Sequence, residues 1–195
     1  MSSVKGEFVF KITVIGDGMV GKTSLIKKFT QQSFQSDYIR TIGAQFSKYK
    51  INIESDTCTL YFWDIAGQDD FYFLRPSFYQ ESRAAIIVYS LEENQLGKDS
   101  LKHLPNWHND IKKYCGNIPI ILLGNKVDLI DIHTLDSSKV LKMAHKRAFL
   151  NHFYTSALTG EGVIEAFHAI INNLYSKYKK ISDAIQDINT ESKEN

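Results

Sequence analysis

The chain has 195 residues, 43% apolar and 23% charged, and its 23 lysines and arginines against 22 aspartates and glutamates leave a net charge of +1. That size and balance describe one globular domain and exclude wholesale disorder, as well as attraction to nucleic acid or an anionic membrane by bulk charge. The longest apolar runs, Ala84 to Tyr89 and Ile118 to Leu123, fall far short of the ~20 residues that span a bilayer. The start, Met1-Ser2-Ser3-Val4-Lys5, carries no secretory signal, and Cys58 and Cys115 form no CxxC pattern, which suits a reduced compartment.

The elements alternate. Phe8 to Ile15 is a β-branched and aromatic run that ends at a glycine-rich turn. Gly21 to Thr30 reads as a helix with Leu25, Ile26 and Phe29 on one face. Gln45 to Glu54 and Thr57 to Asp64 read as a hairpin turning at Ser55-Asp56. Ala84 to Ser90 and Ile118 to Leu123 are continuous apolar runs of the kind buried on both faces of a parallel sheet. Between them Asp99 to Tyr114 carries Leu101, Leu104, Trp107 and Ile111 at helical spacing. Asp136 to Phe149 starts on an Asp or Ser cap and shows Val140, Leu141, Ala144 and Ala148. A short strand over His152 to Thr155 precedes a helix from Glu161 to Tyr178, whose buried side is Val163, Ala166, Phe167, Ile170, Leu174 and Tyr178. The expected fold is α/β: a six-stranded, mostly parallel sheet with helices on both faces and one antiparallel edge hairpin. The expected domain spans residues 1–180, and 181–195 form a polar tail. Ile181, Ala184, Ile185 and Ile188 would let the last helix run on before it frays, or would offer a docking face.

Residues 16–23 read Gly16-Asp17-Gly18-Met19-Val20-Gly21-Lys22-Thr23, a GxxxxGK[ST] loop between a strand and a helix. Backbone N–H groups can close around phosphate oxygens only where glycines relieve the crowding, and the new helix points its positive end at the anion. Lys22 then bridges the terminal phosphates, Thr23 offers its hydroxyl to Mg²⁺, and Ser24 continues the nucleotide-binding stretch. The loop alone does not choose a base. Asn125-Lys126-Val127-Asp128, after the strand Ile118 to Leu123, does. The Asp128 carboxylate can accept from both N1–H and the 2-amino group of guanine, a donor pair that adenine lacks. Asn125 would brace the loop, and the Lys126 stem would lie along the base.

Gly16 to Thr23, Thr41-Ile42-Gly43, Trp63-Asp64-Ile65-Ala66-Gly67-Gln68, Asn125 to Asp128 and Ser156-Ala157-Leu158 occur in the order and spacing of the Ras superfamily of small GTPases. Thr41 to Phe46, Trp63 to Gln68, Phe71-Tyr72-Phe73-Leu74 and Phe78-Tyr79 look most like the Rab branch. The resemblance covers about residues 8–178. It implies a molecular switch that binds GTP or GDP with Mg²⁺ and hydrolyses GTP slowly, in signalling or membrane traffic. Thr41 would ligate Mg²⁺ and touch the γ-phosphate only in the triphosphate state, and Phe34 would pack edge-on to the guanine. Asp64 would hold the Mg²⁺ shell, Gly67 would give its N–H to the γ-phosphate, and Gln68 would orient the attacking water. Gly18 stands where a side chain would crowd that glutamine. Ala157, between Ser156 and Leu158, would give its N–H to the guanine carbonyl. When the γ-phosphate leaves, Thr41 and Gly67 lose a shared anchor and both switch loops relax. Effector, exchange-factor and GTPase-activating proteins would read those loops.

Several residues depart from that pattern. Leu158 replaces the usual lysine, Ile65 the usual threonine, and Asp69-Asp70 an acidic–basic pair. Arg40 directly precedes Thr41, where it could serve as an internal arginine finger, worth about 10³–10⁵ in rate in systems that use one. Residues 181–195 hold no prenylatable cysteine, and the start carries no myristoylation signal. The protein is therefore expected to be cytoplasmic and soluble, reaching a membrane only through a partner. His103, His108, His133, His145, His152 and His168 have no metal-ligand spacing and read as surface or satisfied groups. Leu158 and Asp70 motivate an alternative, a module that holds GTP or GDP with little turnover. A metabolic kinase is disfavoured, since no lid of arginines appears.

Overall fold

The computed structural model describes residues 6–31, 38–41, 43–67 and 73–194. Strands β1 (Glu7–Ile15), β2 (Tyr38–Thr41), β3 (Ala44–Ile53), β4 (Asp56–Ile65), β5 (Ala84–Ser90), β6 (Ile120–Asn125) and β7 (Asn151–Thr155) form one sheet in the order β2-β3-β4-β1-β5-β6-β7. β2, β3 and β4 run antiparallel, while β4, β1, β5, β6 and β7 are parallel neighbours. The six expected strands are present. The seventh, β2, is a four-residue edge strand whose Thr41 faces Ala44 in the register.

Among the described residues five α-helices cover the sheet: α1 (Lys22–Thr30), α2 (Arg75–Tyr79), α3 (Gln95–Cys115), α4 (Ser138–Lys146) and α5 (Val163–Glu194). The buried runs divide by parity. On β5, Ala84, Ile86 and Val88 join the core under α1 and α5, while Ala85, Ile87 and Tyr89 join the core under α2, α3 and α4. That alternation is why β5 and β6 read as unbroken apolar runs. In the first core the Phe29 ring stacks on Phe167 at 4.5 Å between centroids and meets Phe62 edge-on at 5.7 Å.

Helix ends moved for identifiable reasons. α3 starts earlier than its apolar spacing suggests because the Asn94 side chain caps it, accepting from the Gly97 N–H at 3.0 Å. α4 is shorter than expected. Asp136 Oδ1 accepts from Ser138 N at its start, and Ala148, at φ 54°, turns left-handed just beyond its end. Leu101 and Leu141, placed by spacing on the apolar faces of α3 and α4, are exposed. α5 continues past Tyr178 to Glu194, so residues 181–194 are helical, with Ile181, Ile185 and Ile188 exposed. Its middle is tied to the β3–β4 turn through Asp56, a fully buried carboxylate. Asp56 accepts from Gly6 N at 2.7 Å and Tyr175 Oη at 2.9 Å, and it pairs with Lys179 Nζ at 3.0 Å. Among the described residues no helix is long and apolar enough to cross a membrane.

Candidate nucleotide site

The parallel strands β1, β4, β5 and β6 deliver their carboxyl ends to one edge of the sheet, where ligands of open α/β sheets bind. β1 stops at Ile15, and the chain turns through Gly16 to Gly21 into α1. Gly21 caps that helix at φ 98°, and a Cβ there would stand 2.2 Å from Asn125 Nδ2, so only glycine fits. Lys22 is buried and folds back over the loop, its Nζ donating to the carbonyls of Gly16 at 2.9 Å and Asp17 at 2.7 Å. Burial pushes its ammonium down to about 8, against the opposing pull of Asp64 and Asp17, and Arg75 pushes the same way as burial. Met19 projects into solvent at φ 64°.

Asp64 ends β4, in register with Val14 of β1, and its carboxylate accepts from the Thr23 hydroxyl. Burial raises the Asp64 carboxyl, while the Thr23 hydrogen bond and Lys22 oppose that rise. A hydroxyl and a carboxylate converging beside a buried ammonium are hard oxygen donors that fit Mg²⁺. Ile65, next to Asp64, is core in the second cluster, which accounts for an apolar residue where the family has threonine. Gly67 follows, pressed against the phosphate loop: a Cβ on it would stand 2.4 Å from Gly16 O.

The base-reading loop leaves β6. Asn125 is buried and links three segments. Its Nδ2 donates to Val20 O at 2.8 Å, and its Oδ1 accepts from Ala157 N at 3.2 Å and Thr155 Oγ1 at 3.4 Å. Lys126 sits left-handed at φ 70° with its Nζ 2.5 Å from Glu92 Oε2. That contact holds the Glu92 carboxyl below its ordinary range. Asp128 is exposed in the short 3₁₀ turn Val127–Leu129. Ser156 is fully buried, its Oγ accepting from Thr159 N at 3.0 Å. Leu158 is 77% exposed, and Lys28 of α1 donates to its carbonyl at 3.4 Å.

Phe34, Ile42, Gln68, Asp69, Asp70, Phe71 and Tyr72 lie outside the described residues, as do the side chains of Arg40 and Thr41. The backbones of Arg40 and Thr41 belong to β2.

Sequence reasoning missed the support behind the loop. The Asp17 carboxylate accepts from Trp107 Nε1 and from His103 Nδ1, each at 2.7 Å, and the Arg75 guanidinium lies 4.5 Å over the Trp107 ring. Arg75 Nη2 donates to Gly67 O at 3.3 Å. A signal for this existed. An acid inside a phosphate-binding loop must turn away from the anion and find donors elsewhere. The missed partner on the other side is Glu92, which receives Lys126.

A buried lysine and a threonine–aspartate pair at the carboxyl ends of β1 and β4, joined by Asn125 to a second loop, define a P-loop nucleotide-binding protein. The Ras family model matches residues 11–176. The chain is 34% identical to Ras-related protein Rab-21 of Bos taurus over 161 residues, covering 82% of this chain and 70% of that one. It is 31% identical to Ras-related protein RABA4b of Arabidopsis thaliana over 180 residues, covering 92% and 78%. Rab-21 of Homo sapiens matches at 34% over 161 residues, covering 82% and 69%. The chain belongs to the Ras family and is a Rab-like small GTPase, a GTP hydrolase. Members of this family bind GTP and GDP with Mg²⁺.

Proposed function

We propose that this chain is a nucleotide-gated switch in membrane traffic, with its nucleotide domain over residues 1–180 and its site assembled from the loops at the carboxyl edge of the sheet. Gly16 to Ser24 wrap the phosphates, and Lys22 neutralises the terminal pair. Thr23, Asp64 and Thr41 hold Mg²⁺, which when bound neutralises charge on the phosphate oxygens. Gly67 gives its N–H to the γ-phosphate and Gln68 orients the water, so the protein acts by positioning and charge. Phe34, Asn125, Lys126, Asp128, Ser156, Ala157 and Leu158 form the guanine pocket. The observation that carries this reading is Asn125, whose amide joins the phosphate loop at Val20 to the loop of Ala157.

Effectors, exchange factors and activating proteins read the segments that follow Phe34 and Gly67. In support, Phe46 of β3, Trp63 of β4 and Phe78 of α2 form a half-buried aromatic row, with centroids 5.7 Å and 6.1 Å apart. Such rings give a partner a large apolar contact at low entropic cost.

Asp128→Asn tests the base assignment. An amide in place of the carboxylate keeps one acceptor, for N1–H, but loses the acceptor for the 2-amino group and gains a donor that suits a 2-oxo group. GDP affinity should fall about a hundredfold or more while affinity for xanthosine diphosphate rises. Unchanged selectivity between the two would refute the assignment.

A further inference from the structure

α3 stands behind the phosphate loop, and three of its neighbours close a ring around one tryptophan. Both oxygens of Asp17 are taken by α3: Oδ1 by the Trp107 indole N–H and Oδ2 by His103 Nδ1–H. The main-chain carbonyl of the same residue holds Lys22 Nζ at 2.7 Å. A shift of Asp17 therefore moves an anchor of the lysine that meets the phosphates. The other side of Trp107 faces Arg75 of α2. The Arg75 guanidinium lies over its ring, and that guanidinium donates to Gly67 O. Gly67 in turn rests on Gly16 and Asp17, which closes the ring. Trp107 and Arg75 are each 6% exposed, so these contacts are made largely out of water. A carboxylate on the indole N–H also enriches the ring face that carries the cation. A buried indole N–H needs an acceptor, and here the acceptor is a carboxylate of the phosphate loop. Asp17, Gly67, Arg75, His103 and Trp107 line an open cavity of about 580 Å³ between the phosphate loop and α3.

We propose that Trp107 is a positioning residue for GTP hydrolysis: through Asp17 on one side and Arg75 on the other, it sets where Gly67 stands relative to the phosphate loop. This rests on the nucleotide-switch reading above. The tie joins α3 to a contact that changes with the γ-phosphate, so nucleotide state is felt at the indole. Hydrolysis is the step most exposed to its loss, because misplacing a reacting group by ~1 Å costs up to about a hundredfold in rate, whereas affinity is spread over many contacts.

The test is single-turnover hydrolysis of preloaded GTP with Mg²⁺ on the full chain, alongside GDP dissociation and thermal unfolding. Trp107→Phe keeps a ring under Arg75 and removes the N–H. Asp17→Asn approaches the same contact from the loop and keeps an acceptor for the indole. Trp107→Phe should slow hydrolysis about tenfold, with GDP dissociation changed less than about threefold and the melting temperature shifted by no more than about 3 °C. Asp17→Asn should slow it less, and Trp107→Phe combined with Arg75→Met should be no slower than the worse single variant. In a Trp63→Phe background the emission of Trp107 should differ between the GDP form and the form holding a non-hydrolysable GTP analogue. Hydrolysis by Trp107→Phe at the unsubstituted rate, or rate, dissociation and melting all falling together, would overturn the inference and leave the switch reading standing. Absent turnover in the unsubstituted chain would overturn both.

Discussion

Replacing Asn125 with alanine is the perturbation whose cost follows most directly from the geometry. The side chain is 1% exposed and makes three hydrogen bonds, to Val20 O, Ala157 N and Thr155 Oγ1. Alanine leaves a backbone carbonyl in the phosphate loop and a backbone N–H at the base loop without their partner. A buried polar group that loses its partner costs about 1–3 kcal/mol, so the variant should lose on the order of 2–4 kcal/mol. For a domain of this size that is a fall of about 5–15 °C in melting temperature. The same amide fixes the phosphate loop against the base loop, so GDP should leave about 10–100 times faster, each tenfold step being about 1.4 kcal/mol. Differential scanning fluorimetry and release of a fluorescent GDP read the two effects. Asn125→Asp is the sharper variant. It keeps the acceptor for Ala157 N but sets a carboxylate against Val20 O, so it should be no better than alanine. A melting temperature within about 2 °C and unchanged GDP release in both variants would refute the reasoning.

Two further predictions concern pH. Burial holds the Lys22 ammonium down to about 8, and bound phosphate would hold its proton, so binding takes up a proton above that pH. GDP affinity should be flat below pH 8 and then fall by up to about tenfold per pH unit. Competition binding at pH 7 to 9 tests this against Lys22→Met, which shows only the titration of the nucleotide itself; equal pH profiles would contradict it. His152 is driven to about 4 by burial and shares a hydrogen bond with Tyr89 Oη at 3.0 Å through its Nε2. The unfolded chain takes the proton first, so stability is lost as pH falls from 6.5 towards 4, by on the order of 2–3 kcal/mol. Urea unfolding at pH 7 and 4.5 should show that loss and should show less of it in His152→Gln; an equal loss in both would assign it elsewhere.

What was legible in the sequence was whatever is local. β5 and β6 announced themselves because both faces are buried, and the phosphate and base loops because each is one contiguous stretch. Element ends escaped where a single residue decides them. Asn94 caps α3, which therefore starts at Gln95, four residues before Asp99, and Ala148 turns the chain out of α4. The edge strand β2 was missed because Tyr38 to Thr41 has no alternation of its own and depends on pairing with β3. The support of the site was illegible for a different reason. Asp17 lies 86 residues from His103 and 90 from Trp107, and Glu92 lies 34 from Lys126. Spacing placed Trp107 on the apolar face of α3, and it does pack there; only the fold shows that its N–H points at the phosphate loop. Histidine spacing spoke to metals alone and gave no sign that His103 would sit on Asp17.

The central claim is that this chain times a signal by hydrolysing the GTP it holds. The direct measurement is single-turnover hydrolysis of bound GTP with Mg²⁺, comparing the unsubstituted chain with Gln68→Leu. A slow first-order loss of the γ-phosphate, cut at least about tenfold by the substitution, is the expected result. Equal rates in the two proteins would contradict the role assigned to Gln68, and bound GTP that persists in both would contradict the timed switch itself.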